Sequence, residues 1–371
     1  MANPFAKLLD VSSLTALWKK DDRVLGVDIG SSSIKVVQLV RKRGRAVLET
    51  YGTIALGPYA KQAVGQAVTL MPEKIAEALA DLSKEANVTA TKAVFAIPLR
   101  SSLLTLIELP PLHEKDMDKV IQLEARKYIP VPISEVALDW TVIPRSESEQ
   151  FEDVVAEGPT SERGTEVLLL AIHNNVLAGY RDIASLRKLE LQAFEIEIFS
   201  TIRSVFGHDV APTMVIDIGA STTKAVIVDY GIVRLSHTIN KGSQDITHAL
   251  SKSLNMPFDK AELLKREAAN PEVATTAAPV LDYIFFELKR VLTSYQRKYH
   301  RTISKITLAG GGSLHALVRE RASREFATDV LIGDPFLKVE APPFLDTMLK
   351  EIGPEFAVAV GLALRGLQET E

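Results

Sequence analysis

The feature that most constrains this chain is an internal repeat. Asp28-Ile29-Gly30-Ser31-Ser32-Ser33-Ile34-Lys35 is matched by Asp217-Ile218-Gly219-Ala220-Ser221-Thr222-Thr223-Lys224. In each copy an apolar run ends in an Asp, a Gly opens a turn two residues on, small and hydroxyl residues follow, and a Lys leads into a second apolar run. Gly permits backbone torsions that other residues resist, and it lets backbone N–H groups approach an anion closely. The hydroxyls add donors and the Lys adds a mobile positive charge. One Asp-x-Gly turn is an ordinary hairpin device. Two copies in matching contexts predict two related α/β domains that present hairpins to one phosphate tail from opposite sides. Asp28 and Asp217 are the candidate ligands of a hydrated Mg²⁺, which prefers a few carboxylates plus water and phosphate oxygens.

A third element has the same character. Ile306 to Ala309 reads as a strand running into Gly310-Gly311-Gly312-Ser313, and Leu314 to Phe326 then reads as a helix. The glycines allow backbone to lie flat against a nucleotide, with a helix N-terminus nearby. A tight strand-to-helix turn is the alternative for this segment standing alone.

Composition sets outer bounds. The 371 residues suffice for two or three domains of about 100–200 residues each. With 43 basic against 47 acidic residues, the net charge of −4 supplies no broad positive field for a nucleic-acid backbone. The lack of cysteine excludes disulfides, thiolate catalysis and cysteine-ligated zinc. No apolar run reaches the roughly 20 residues of a membrane-spanning helix, and the first 22 residues do not follow a secretory pattern. The expectation is a cytoplasmic protein. Residues 5–18 place Phe5, Leu8, Leu9, Leu14, Leu17 and Trp18 near one helical face, suited to packing on its own domain or to lying on a membrane surface.

Along the chain, periodicity predicts strands at 24–40 (a hairpin), 46–56, 93–97, 102–109, 136–143, 167–172, 214–229 (the second hairpin) and 305–309. It predicts helices at 71–86, 114–128, from 173 to about 189, 243–254, 259–268, 278–299 and 354–367. Residues 144–164 are polar and acidic, a loop candidate. In the helix at 114–128, Glu124 falls within the apolar stripe of Met117, Val120, Ile121, Ala125 and Tyr128. An embedded carboxylate needs a partner: an ion pair within the chain, or a bound peptide that it anchors.

These motifs resemble those of the actin, sugar kinase and heat-shock 70 superfamily. The two hairpins are similar to its phosphate-1 and phosphate-2 motifs, and Leu308 to Ser313 to its adenosine motif. Lys260-Ala261-Glu262-Leu263-Leu264-Lys265 is similar to the family helix that supplies a Glu and a Lys to ribose and adenine. A closer resemblance lies in Leu109-Pro110-Pro111, Glu124-Ala125-Arg126-Lys127-Tyr128-Ile129-Pro130 and Asp139, which look like the extra subdomain of the PilM family, the actin-like proteins of type IV pilus assembly. Leu191 to Ser200 is similar to that family's connecting helix, with Glu197 at its acidic position and Ile198 where a proline is common. The resemblance covers roughly residues 24–366.

The resemblance implies an α/β, actin-like ATPase fold with two lobes, mixed sheets and four subdomains. The expected bounds are an extension at 1–22, subdomain 1A at 23–97 and 176–206, an inserted 1C at 98–175, 2A at 207–240 and 302–371, and 2B at 241–301. It implies ATP and Mg²⁺ bound by Gly30, Ser31, Ser32, Ser33 and Lys35 from one hairpin and Gly219, Ala220, Ser221 and Thr222 from the other. Glu262, Lys265, Gly310, Gly311 and Gly312 then face the ribose and base, and Glu197 and Asp217 take the catalytic positions, with weak ATP hydrolysis or none. The implied partners are the cytoplasmic N-terminal peptide of PilN, on a groove that includes Ile121, Glu124, Tyr128 and Ile129, then other pilus inner-membrane and motor components, and further copies of the chain. The place of action is the inner face of the cytoplasmic membrane.

Two other classes share the fold. A metabolite kinase needs a catalytic Asp near a substrate hydroxyl, and residues 98–175 offer no clear substrate cluster. A cell-division anchor of the FtsA type needs a C-terminal amphipathic helix, whereas Arg365 to Glu371 is short and acidic. A GspL-like secretion component is expected to carry a membrane span.

Overall fold

The computed structural model describes residues 23–110, 117–143, 165–207, 210–267 and 269–368. The amphipathic segment 5–18, the loop candidate 144–164 and the start of the helix expected from 114 lie outside the described residues. The strands are β1 (Arg23–Ile29), β2 (Ser33–Lys42), β3 (Arg45–Ala55), β4 (Lys92–Ile97), β5 (Ser102–Leu109), β6 (Val136–Val142), β7 (Thr165–His173), β8 (Glu190–Ile196), β9 (Thr213–Ile218), β10 (Thr223–Asp229), β11 (Ile232–Ile239), β12 (Lys305–Ala309) and β13 (Asp329–Ile332). The helices are α1 (Pro72–Glu85), α2 (Met117–Ala125), α3 (Asn174–Leu186), α4 (Glu197–Val205), α5 (Ser243–Ser253), α6 (Phe258–Lys265), α7 (Pro271–Tyr299), α8 (Ala316–Glu325), α9 (Asp346–Ile352) and α10 (Ala357–Gln368).

The internal repeat reaches the level of topology. One five-stranded sheet runs β3-β2-β1-β4-β8 and the other runs β11-β10-β9-β12-β13. In each, the hairpin strands are antiparallel and the next two strands run parallel to the first. Each leading strand, β1 or β9, is covered on both faces, which is why RVLGVDI and TMVIDI are near-continuous apolar runs. The register matches as well: Asp28 lies opposite Lys35 and Asp217 opposite Lys224. A third, antiparallel sheet, β5-β7-β6, lies between β4 and β8 in the chain and has its own core of Ile107, Leu109, Ile121, Val167 and Leu169.

The structure corrects four expectations. Leu191 to Ser200 is not one helix: β8 pairs in parallel with β4, and the chain turns into α4 only at Glu197. Leu191, Ala193 and Phe194 find apolar partners beside the sheet, and this tertiary pairing overrides local helical character. Helix α7 begins at Pro271, seven residues before the expected 278, and runs through Pro279 because Val273, Ala277 and Leu281 are all buried along one stripe. Asn270 caps it by accepting from the Glu272 N–H at 3.0 Å. Residues 335–368, counted with the second lobe on sequence, pack instead on the first sheet. There Phe336, Phe356 and Leu362 share a core with Val24, Val37 and Leu39. Gly26 makes this possible, since a Cβ there would stand 2.0 Å from the Ala359 carbonyl oxygen of α10. Finally, Ile121 and Ile129, expected on a partner surface, are core residues at 0% and 7% exposure.

Candidate functional site

The two repeat hairpins meet. The β1–β2 turn and the β9–β10 turn close in the same way, Gly30 N–H to Ser33 O at 3.0 Å and Gly219 N–H to Thr222 O at 2.9 Å. Ser221 Oγ donates to Ser31 Oγ across the gap at 2.9 Å. Between them lies a crevice of about 90 Å³ lined by Asp28, Gly30 to Ser33, Lys35, Glu197, Asp217, Gly219 to Thr222, Lys224, Gly310, Gly311 and Glu355. It adjoins a second cavity of about 660 Å³, with Ser32, Ser33, Lys35, Gly219, Ala220, Gly311 and Glu355 common to both. Small-molecule sites typically measure about 300–1,000 Å³. The larger cavity is floored by Ile218, Ile246, Leu281 and Ile284 and rimmed by Glu262, Lys265, Arg266, His315 and Arg319.

The three glycines after β12 have separate reasons to be glycine. Gly310 has φ +79°, and a Cβ on it would lie 2.2 Å from Asp217 Oδ1 and 2.5 Å from Ile218 O. A Cβ on Gly312 would strike Ile218 Cγ2 at 2.4 Å. Gly311 alone opens onto both cavities, its nearest obstacle Glu355 Cβ at 3.7 Å. Its open backbone is the surface a planar ligand could approach.

The two lysines of the repeat do different work. Lys35 Nζ donates to Ser33 Oγ of its own hairpin at 2.8 Å. Lys224 Nζ is buried between Glu197 Oε2 at 2.8 Å and Asp217 Oδ2 at 3.2 Å. Burial disfavours its charge, but Asp217, Glu197 and Asp28 together outweigh that effect and hold its pKa above the usual lysine range. The other oxygen of Glu197, Oε1, accepts from the Leu99 backbone N–H at 2.8 Å. Both oxygens of Glu197 are thus engaged. Asp28 is pushed up to about 6, first by burial and then by the nearby charges of Glu197 and Asp217, against the opposing pull of Lys35 and Lys224. Glu355 is likewise raised by burial, with Lys35 and Arg266 pulling the other way.

Glu262 and Lys265, one turn apart on α6, form an ion pair at 2.7 Å, and both bond the Thr247 hydroxyl, at 2.5 and 3.0 Å. Burial lowers the Lys265 pKa, with Glu262 opposing. His315 Nε2 donates to Lys265 O at 2.7 Å while its Nδ1 accepts from the Leu317 N–H at 3.2 Å and caps α8. Burial lowers its pKa, so the ring stays neutral. Gly65, on a loop of the first lobe, sits against the Glu262 carboxyl, and Gln244 Oε1 accepts from Ala67 N–H at 3.0 Å. These contacts tie the loop over β1–β2 to the helices beyond β11.

The structure therefore gathers Asp28, Gly30 to Ser33, Lys35, Gly219 to Thr222, Glu262, Lys265, Gly311 and Gly312 around two joined cavities. Glu124 and Tyr128 lie elsewhere, on α2 and the turn after it. Glu124 pairs with Lys127 at 2.6 Å, so its charge is met within the chain, and Tyr128 is 44% exposed. Sequence reasoning missed Glu355, His315 and the bridging role of Lys224. The first had no motif around it. His315 stands two residues past Ser313 as a helix cap, a signal that could have been read. Among the described residues there is no group of three or more His, Asp and Glu arranged to hold a metal by themselves.

Comparison with known proteins places this geometry. A family model described as "Type IV pilus assembly protein PilM" matches residues 26–367. A solved PilM-PilN type IV pilus biogenesis complex is similar with a TM-score of 0.79 and 24% identity, covering 93% of this chain and 98% of that one. The ethanolamine utilization protein EutJ from Carboxydothermus hydrogenoformans is similar at TM-score 0.53 and 16% identity, over 92% and 89% of the two chains. MreB5 of Spiroplasma citri bound to AMPPNP is similar at 0.51 and 11%, over 94% and 97%. At these identities, likeness to the solved structures speaks for the fold.

Proposed function

Since the chain belongs to the type IV pilus assembly protein PilM family and has the actin-like fold, we propose that it is a nucleotide-binding scaffold of the pilus inner-membrane complex, holding Mg²⁺-ATP between its lobes and the N-terminal cytoplasmic peptide of PilN on its inserted sheet domain. The observation that carries the nucleotide reading is the pair of hairpins facing each other across one crevice, joined to a cavity of about 660 Å³. Backbone N–H groups of Ser31 to Ser33 and Ala220 to Thr222, with Lys35, fit a polyphosphate. Gly311 and the apolar floor fit a base, and the Glu262–Lys265 pair fits ribose hydroxyls and ring nitrogens.

The residues present also suit a magnesium ion brought in by the nucleotide. Asp28 and Asp217 contribute one carboxylate from each lobe, and Mg²⁺ usually completes its shell with water and phosphate oxygens. The ion would offset charge on the phosphates. Lys224 already pairs with Asp217 and Glu197, and Asp28 is pushed up to about 6 by burial. Weak turnover or none is part of this reading, and the engagement of both Glu197 oxygens supports it.

The partner reading rests on the family and on the likeness to a chain solved in a PilM-PilN complex. With Ile121 and Ile129 in the core, the residues that can meet a peptide around α2 are Leu123 at 61% exposure and Tyr128 at 44%. The motor link and attachment to the inner face of the membrane follow through PilN. Fluorescence anisotropy of a labelled PilN N-terminal peptide, with and without Mg²⁺-ATP, tests this. Tyr128→Ala should weaken binding at unchanged melting temperature, and Ile121→Ala should lower the melting temperature. Full peptide affinity in Tyr128→Ala together with Leu123→Ala would remove this surface from the proposal.

A further inference from the structure

The two most exposed large apolar side chains among the described residues, Phe344 at 83% and Leu337 at 79%, occur within one short segment. Their exposure is set by packing around them. Phe336 and Val339 are buried, and Leu345 packs against the same core. This segment is fastened to β3 just past the turn of the β2–β3 hairpin: Glu340 N–H donates to Ala46 O at 2.8 Å, and Leu48 N–H donates to Glu340 O at 2.9 Å.

The tip of that hairpin is basic. Lys42 and Arg45 pair across it, and the two-residue turn between them is Arg43-Gly44, with φ of 52° and 77°. Both values lie in the left-handed region, where glycine is at ease and a long L side chain is strained. Lys42 and Arg45 are 60% and 77% exposed, and Arg43 is exposed too. Their acidic neighbours hold them loosely: Lys42 is 3.9 Å from Glu49, and Arg45 is 3.6 Å from a Glu340 that is itself 58% exposed. Lys42, Arg43, Arg45, Val47 and Glu340 surround an open hollow of about 550 Å³. Phe344 follows Glu340 by four residues, within about 14 Å even if the chain is fully extended.

We infer that this face is a membrane-docking surface for an anionic bilayer, with the Lys42–Arg45 tip against the headgroups and Phe344 and Leu337 entering the acyl boundary. Cations beside solvent-exposed apolar side chains match a surface that is anionic outside and apolar beneath. A nucleic acid would use the cations and could stack on Phe344, but it has no use for Leu337. The surface is independent of the nucleotide crevice and of PilN, so a failed test here leaves the proposed function standing.

Flotation of the full chain with vesicles tests the inference. Vesicles of about 70% phosphatidylcholine and 30% phosphatidylglycerol should carry the protein, pure phosphatidylcholine vesicles should not, and added salt should release it. At roughly a fivefold effect per basic residue near the surface, Arg43→Glu with Arg45→Glu should weaken binding at least tenfold. Phe344→Ser should weaken it on its own, with circular dichroism and melting temperature as for the unaltered chain. No binding to the anionic vesicles overturns the inference. So does binding that both variants leave intact, and so does capture of a single-stranded oligonucleotide with none of vesicles.

Discussion

Replacing Lys224 with Ala removes the only side-chain cation that the described structure shows bonded to Asp217 and Glu197. Lys224, Glu197 and Asp217 have side-chain exposures of 11%, 9% and 12%, so solvent does little to compensate, and Asp28 is buried beside them. Breaking such a buried pair from one side costs about 3–5 kcal/mol, mostly because charge is left behind unpaired. For lobes of this size that corresponds to a fall in melting temperature on the order of 10 °C. The loss should depend on pH with a definite sign. The Asp28 pKa is about 6 in the folded chain against 3.8 ordinarily. Between those values the folded form binds more protons than the unfolded form, and stability falls as pH rises. Without Lys224 the Asp28 pKa climbs further and the window widens upward. The deficit of Lys224→Ala should thus be large at pH 8 and smaller at pH 5.5. Differential scanning fluorimetry across that range, checked by urea denaturation, gives both numbers. A variant as stable as the unaltered chain at pH 8, or a deficit that does not change with pH, refutes the reasoning.

The other hairpin lysine should behave in the opposite way. Lys35→Ala loses one hydrogen bond to Ser33 and its pull on Asp28 but breaks no direct ion pair, so it should cost less stability than Lys224→Ala in the same assay, yet it should weaken ATP by about 1.5–3 kcal/mol, the worth of a charge-assisted hydrogen bond, by calorimetry. Mg²⁺-ATP affinity should fall about tenfold per unit as pH drops below about 6, because protonation of Asp28 competes with the cation; calorimetry at pH 5, 6 and 7.5 measures it. Gly361→Ala should destabilise by about 1–3 kcal/mol or more in urea, since its Cβ would fall 1.9 Å from the Ser200 carbonyl oxygen where α4 and α10 cross.

Much of the candidate site was legible in the sequence because its parts are local. The Asp-x-Gly hairpins and the Gly310-Gly311-Gly312 turn each need a short run of particular residue types, and torsion or close approach explains each choice. What escaped depended on distant partners. Lys35 and Lys224 occupy the same place in the same motif, and only α4, arriving with Glu197, leaves one held by its own hairpin and makes the other a buried bridge. β8 was read as helix because its value as a strand comes from β4 rather than from its own pattern. The stripe on α2 was correctly apolar, but periodicity alone cannot say whether Ile121 faces its own sheet or a visitor. The packing of residues 335–368 on the first sheet reverses their place in the chain, and nothing short-range marks that return.

The central claim is that a nucleotide lies between the two hairpins with its base on the backbone of Gly311. Gly311→Val probes it cleanly. A Cβ there meets nothing closer than Glu355 Cβ at 3.7 Å, so the fold should accept the branch, while the added side chain projects into the space shared by the two cavities. Isothermal titration of Mg²⁺-ATP at pH 7.5 into both proteins, each with a confirmed melting temperature, is the direct measurement. The account predicts one site per chain in the unaltered protein and at least a tenfold loss of affinity in an equally stable Gly311→Val. Equal affinity in the two, or no binding to the unaltered chain, contradicts it.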